Sequence, residues 1–268
     1  MSQTQSTSEV GQKPTKIKID KYEINYSKFG NGPHALLLCP GLLGCVDNFK
    51  PIIDHFDRGK YTMVAWDPPG YGLSRPPDRE FPPKILHRDA DLAISLMDAL
   101  HIDTYSVLGW CDGGSTALIM AASGKTAGRL RKAVVWSCKA FVTASAVELY
   151  NSRRNVIQWS PQVKQRNVEK YGMPYFQHTF NAWVDWYQGL LHRNAGEIIS
   201  RRELADISVP TLILHGGQDA LVPAEHALYL QQNIDNSSLE IIPEGKHLLH
   251  FTIAGNFNTI VENFLAAT

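Results

Sequence analysis

The stretch from Tyr105 to Met120, Tyr-Ser-Val-Leu-Gly-Trp-Cys-Asp-Gly-Gly-Ser-Thr-Ala-Leu-Ile-Met, decides how the whole chain is read. A β-type run, Tyr105 to Leu108, enters Gly109-Trp110-Cys111-Asp112-Gly113, and an Ala/Leu/Met helical stretch leaves it. Strand, sharp turn and helix predict a nucleophile elbow. Its tip residue is pushed out of the backbone at a strained φ/ψ, and the positions two before and two after must be small because strand and helix pass so close together. Gly109 and Gly113 meet that demand, and Cys111 holds the tip. A thiol placed there lies at a helix N-terminus, where the positive end of the dipole favours its anion. The competing reading is a chance Gly-x-x-x-Gly spacing around a cysteine buried as a small hydrophobe. The order of the other elements along the chain decides between the two.

Upstream, Lys16 to Asp20 and Tyr22 to Phe29 alternate apolar and polar side chains, as half-exposed strands do, and Gly30-Asn31-Gly32-Pro33 is a turn. An antiparallel hairpin at a sheet edge is expected. His34 to Cys39 and Tyr61 to Trp66 are short continuous apolar runs, the pattern of strands covered on both faces. A helix is expected around Asp47 to Phe56, and Ile85 to Leu100 places apolar residues at helical intervals. Downstream, Ala133 to Cys138 is a further buried strand. Strands and helices in alternation predict a mostly parallel central sheet with helices on both faces, an α/β fold.

From Lys139 to Asp206 no strand pattern appears. Helices are expected there, one opening at Ser160-Pro161 with Ser as cap, together with a cluster of aromatics: Trp159, Tyr171, Tyr175, Phe176, Phe180, Trp183, Trp186 and Tyr187. They read as a small helical core, some of it facing the sheet and walling an apolar pocket. The sheet resumes with Pro210 to His215, a helix from Pro223 to Asn233, a strand at Ser238 to Ile242, and a final amphipathic helix from Ile253 to Ala266. The expected organisation is a tail over residues 1–15, a core over 16–138, a helical cap insertion over 139–206, and a second part of the core over 207–268.

Composition narrows the function classes. Twenty-six basic and 26 acidic residues balance, so no net field draws the chain to nucleic acid or to an anionic membrane, and a small-molecule partner is expected. The four cysteines, Cys39, Cys45, Cys111 and Cys138, show no Cys-x-x-Cys spacing. That usage points to a reducing compartment rather than to disulfides or a metal site. The first fifteen residues lack an apolar run and Arg, so neither a secretory nor a transit peptide is expected, and no apolar stretch approaches the length of a membrane span. A soluble, cytoplasmic monomer without cofactor or metal is the expectation.

A nucleophile at a strand tip needs a base, and in an open parallel sheet the groups that reach it sit on loops at the carboxyl ends of neighbouring strands. Asp219 follows the strand ending at His215, and His247 follows the strand ending at Ile242. No carboxylate stands just after Ala133 to Cys138, which leaves Asp219 as the acid. His215, His226 and His250 are rivals for the base; the loop position of His247 selects it. His247 would take the proton of Cys111 and Asp219 would hold the imidazole in one tautomer. The N–H groups of Asp112 and Leu42 would form the oxyanion hole. Cys45, just beyond that loop, is expected to be a buried reduced thiol, with a regulatory disulfide to Cys111 as the alternative.

Longer strings carry a resemblance. Val-Ala-Trp-Asp-Pro-Pro-Gly-Tyr-Gly-Leu-Ser-Arg-Pro-Pro-Asp-Arg (64 to 79), Leu-Gly-Trp-Cys-Asp-Gly-Gly (108 to 114) and Pro-Glu-Gly-Lys-His-Leu-Leu-His (243 to 250) resemble the α/β-hydrolase superfamily, in its valacyclovir hydrolase (biphenyl-hydrolase-like) branch. The resemblance runs from about Lys16 to the C-terminus. It implies an α/β-hydrolase fold with a helical cap, an esterase acting on α-amino-acid esters, and the substrate's amino group bound by Asp112. An ammonium arriving there would neutralise Asp112 and help the thiolate form. Two positions depart from the family pattern: Cys111 stands where the family has Ser, and Pro69 where the Asp-x-Arg-Gly loop has Arg. A carbon–carbon bond or lactone hydrolase, and a member that only binds ligands or partners, are the alternatives on the same scaffold.

Overall fold

A computed structural model describes residues 14–193 and 196–267. Eight strands form one sheet: β1 (Thr15–Ile19), β2 (Tyr22–Phe29), β3 (His34–Cys39), β4 (Tyr61–Trp66), β5 (Tyr105–Trp110), β6 (Leu130–Trp136), β7 (Thr211–Gly216) and β8 (Ser237–Ile242). Their order is β1-β2-β4-β3-β5-β6-β7-β8. β1 and β2 join antiparallel at one edge, as the alternating pattern requires, and β3 to β8 run parallel. Most of the tail expected over 1–15 lies outside the described residues, and Thr15 already belongs to β1.

Among the described residues there are ten α-helices: α1 (Lys50–His55), α2 (Ile85–Ala99), α3 (Asp112–Ala122), α4 (Ala144–Ser152), α5 (Pro161–Tyr171), α6 (Met173–Arg193), α7 (Arg201–Ala205), α8 (Glu225–Asn233), α9 (Leu249–Thr252) and α10 (Ala254–Ala266). The strand period of two sorts them into layers. Leu36, Leu38, Met63, Leu108, Val134 and Leu212 face a core with α1 and α10, whereas Leu37, Val64, Val107, Val135 and Ile213 face α2, α3 and α8 on the other side. No described helix is long and apolar enough to cross a membrane.

The helix expected at Asp47 to Phe56 is in fact a 3-10 turn, Val46–Phe49, followed by α1, because Pro51 fits only the first turn of an α-helix. The final helix forms as α10, one residue from the expected start at Ile253, and a separate short helix, α9, precedes it. Pro161 opens α5 as its pattern predicts, but the Ser160 side chain accepts no capping bond.

Helices α4 to α7 lie between β6 and β7, where the alternation breaks off. Their aromatics divide by task. Trp159 packs edge-on against Phe176 and Phe180, at 5.3 and 4.7 Å between ring centroids, inside the helical layer. Tyr171 and Tyr175 reach across to the core loops. The Tyr171 hydroxyl donates to the Leu43 carbonyl at 2.9 Å and accepts from the Gly72 N–H at 3.0 Å, and the Tyr175 hydroxyl donates to the Gly70 carbonyl and accepts from the Arg79 N–H.

The missing loop arginine at position 69 has a replacement ten residues on. Arg79 is buried, donates to the Pro69 carbonyl at 2.9 Å, pairs with Asp89, and lays its guanidinium over the Tyr71 ring. Asp67, the first residue of that loop, accepts from the Val46 N–H, the Leu73 N–H and the Asn25 amide, each at 2.8 Å, so both crossing loops are tied to one carboxylate.

Candidate active site

The elbow has the predicted geometry. Cys111 sits at φ 56°, ψ −123°, left-handed and strained for a residue with a side chain, immediately before α3. Its N–H is held by the Trp136 carbonyl at 3.0 Å, in continuation of the β5–β6 ladder. The two glycines are required by contact. A Cβ on Gly109 would lie 2.3 Å from the Gly113 carbonyl oxygen, and one on Gly113 would lie 2.0 Å from the Cys39 carbonyl oxygen. Gly41 is equally confined, since a Cβ there would lie 2.8 Å from Cβ of Cys111.

Asp219 and His247 come together from the loops after β7 and β8. His247 Nδ1 lies 2.8 Å from Asp219 Oδ2, and Asp219 Oδ1 accepts from the N–H groups of Leu221 and Val222 at 2.9 and 3.0 Å. Burial works against ionising that carboxyl, but the His247 contact and the two N–H donors outweigh it and hold its pKa below the ordinary value. Burial likewise opposes a charged His247; the Cys111 thiolate and Asp219 overcome it and push the imidazole up to about 9. The elbow itself helps fix this loop: Trp110 Nε1 donates to the His247 carbonyl at 3.0 Å. Among the described residues the N–H groups of Leu42 and Asp112 have no backbone or side-chain acceptor, which leaves both free for an oxyanion.

Asp112 is not empty. Its Oδ1 lies 3.3 Å from Lys139 Nζ, and its Oδ2 accepts from Trp183 Nε1 at 2.7 Å. Lys139 Nζ also lies 3.9 Å from Cys111 Sγ and 4.9 to 5.5 Å from the ring centroids of Trp183, Tyr150 and Tyr187. The whole ammonium is enclosed, with Lys139 2% exposed. Burial alone would push its pKa down, but the charges of Cys111, Tyr150 and Asp112 raise it well above the ordinary value, so Lys139 is charged. Lys139 thus gives Asp112 an ammonium partner from within the protein.

The remaining candidates take structural places. All four cysteines are free and buried; the Cys45 thiol lies among Asp67, Lys170 and Asp47, and burial followed by those carboxylates pushes it up to about 11. His250 accepts from Trp136 Nε1 at 2.9 Å beneath the elbow, and His226 stacks on Phe141. Burial depresses both imidazoles, His250 to about 3 and His226 to about 4. They stay neutral in the folded protein and take up protons near pH 6.5 when it unfolds. Their contribution to stability is thus full above pH 6.5 and is lost as pH falls towards 4. The expected loss is about 3 kcal/mol between pH 6.5 and 5, read from urea unfolding, with roughly half of it removed by His250→Phe.

Among the described residues no group of His, Cys, Asp or Glu is arranged to hold a metal ion. A cavity of about 10 Å³, room for a single water, adjoins Asp112 and is lined by Gly41, Tyr71 and Arg79. A cleft of about 380 Å³ opens further out between α2 and α6, beside His87, Trp186 and Glu203, and touches none of Cys111, Asp219 or His247.

Over residues 36–253 the sequence matches the alpha/beta hydrolase family. The chain belongs to that family. Among its relatives are the protein named serine hydrolase BPHL in Mus musculus, 42% identical over 251 residues, and its namesake in Homo sapiens, 41% identical over 251 residues; each alignment covers 93% of this chain and 85% of the relative. The fold also matches a meta-cleavage product hydrolase of Pseudomonas fluorescens IP01, with a TM-score of 0.77 at 21% identity over 94% of this chain and 97% of that one. The relatives are named serine hydrolases, and this hydrolase carries Cys111 at the elbow tip.

Lys139, which faces Cys111 and Asp112, carries no signal in the sequence. Lys139 stands directly after a buried parallel strand, a position from which side chains reach a site. Its type gave no hint, because a lone lysine is usually solvated.

Proposed function

We propose that this hydrolase cleaves small carboxylic esters through a Cys111 thioester, with His247 carrying the proton and Asp219 holding His247. The observation that carries the reading is the convergence of Asp219, His247 and Cys111 at the elbow tip beside a buried ammonium. As His247 takes the Cys111 proton, an imidazolium forms against Asp219 and a thiolate beside Lys139.

The thiolate attacks the ester carbonyl carbon, and the carbonyl electron pair moves to oxygen, held by the N–H groups of Leu42 and Asp112. Collapse of this intermediate expels the alkoxide, which leaves as an alcohol with the proton from His247. A water then gives its proton to His247 and attacks the thioester; the second collapse releases the carboxylic acid and restores the thiolate. The α-amino-ester preference implied by the resemblance would require Lys139 to give up Asp112.

Rapid mixing with p-nitrophenyl butyrate tests the reading. One equivalent of p-nitrophenolate is expected in a burst, with a butyryl group found on the Cys111 peptide after acid quench. A butyryl group on Lys139 instead, or no adduct with steady turnover, would overturn it.

A further inference from the structure

The Lys139 ammonium borders the sulfur that takes up the acyl group, 3.9 Å from Sγ. Once Sγ bears that group, a substituent on the carbon next to the carbonyl lies near the sulfur, and turned towards Lys139 it comes within hydrogen-bond reach of Nζ. A second ammonium there would meet a like charge in a buried site where water screens little. Both Asp112 oxygens already accept, one facing Lys139 and the other taking the Trp183 N–H, so a second ammonium would have to share that carboxylate with Lys139.

An oxygen at the same carbon meets the opposite situation. Lysine carries three donors and no acceptor. In the resting site Nζ faces Asp112 Oδ1 at 3.3 Å and Cys111 Sγ at 3.9 Å, while the remaining surroundings are the rings of Trp183, Tyr150 and Tyr187. Acylation turns the thiolate into a neutral thioester sulfur, a poor acceptor, and so releases the donor that faced it. That donor then lacks a partner in a buried site unless the acyl group supplies one.

We propose that Lys139 sets the acyl specificity of the site, rejecting an ammonium at the α-carbon and donating to an oxygen there, so that esters of 2-hydroxy acids are favoured over esters of 2-amino acids. The proposal rests on the Cys111 thioester reading. It makes Lys139 a specificity-determining residue, with Asp112 and Trp183 fixing where its ammonium sits.

Three benzyl esters that differ only at the α-carbon test it: those of valine, of 2-hydroxy-3-methylbutanoic acid and of 3-methylbutanoic acid. With the full chain, kcat/KM for the hydroxy ester is expected to exceed that for the unsubstituted ester by about tenfold and that for the valine ester by more. In Lys139→Met the hydroxy advantage is expected to vanish, and the valine ester to gain about tenfold relative to the unsubstituted one as Asp112 is freed. Lys139→Gln, which keeps a donor and drops the charge, is expected to retain a hydroxy preference without rejecting the amine. Both ratios are insensitive to a general loss of activity, so a merely structural lysine would not move them.

A wild-type preference for the valine ester, or ratios unchanged in both variants, would overturn the proposal. If neither variant folds, the wild-type ratios decide alone. If no ester is turned over and p-nitrophenyl butyrate leaves no group on Cys111, the thioester reading fails, and thermal-shift binding of the three matching amides to the wild-type protein decides the proposal separately. The hydroxy amide ahead of valinamide would support it, and equality or the reverse order would overturn it.

Discussion

Replacing Cys111 with alanine is expected to lower kcat/KM for p-nitrophenyl butyrate by about 1000-fold or more while leaving the melting temperature within a few degrees of wild type. The size of the loss follows from the division of labour at the elbow. Oxyanion donors and the binding site survive the change, but the atom that forms the covalent bond does not. Cys111→Ser is the sharper companion. Its hydroxyl sits on the same strained tip, within reach of the same His247, and is expected to keep measurable turnover while becoming insensitive to iodoacetamide, which should inactivate the wild type. The two variants together separate a nucleophile from a buried packing cysteine: a packing role predicts that neither substitution alters turnover.

Asp89→Ala is expected to cost about 3 to 5 kcal/mol, because it strands the buried Arg79 guanidinium without its counter-charge. Arg79 also donates to the Pro69 carbonyl and covers Tyr71, so the loop after β4 should loosen together with the cap residue Tyr175 that accepts the Arg79 N–H. Thermal unfolding should report a melting temperature lowered by about 10 °C. The double change Arg79→Leu with Asp89→Leu removes both charges and is expected to recover part of the loss. A single Asp89→Ala protein as stable as wild type would show that the guanidinium finds water or another partner.

The parallel sheet was legible because its strands are short apolar runs, and such runs have few ways to be covered on both faces. The elbow was legible because two glycines flank its tip at fixed spacing, and the close passage of strand and helix leaves no room for a Cβ. Asp219 and His247 were found from topology: each stands in a loop at the carboxyl end of a parallel strand near the elbow strand. Element ends were less distinct. The short helix α9 ahead of α10 and the 3-10 turn before α1 depend on local backbone geometry that hydrophobic periodicity does not record.

What the sequence by itself determined was the architecture and the elbow, since both follow from local spacing and strand order. What only the tertiary structure decided was the surroundings of Cys111. Lys139 becomes its buried neighbour because α4 and α6 bring Tyr150, Trp183 and Tyr187 over it and Asp112 lies in reach of its ammonium. Burial and pairing are properties of packing between distant segments, and for a single lysine at the end of a strand no local pattern encodes them.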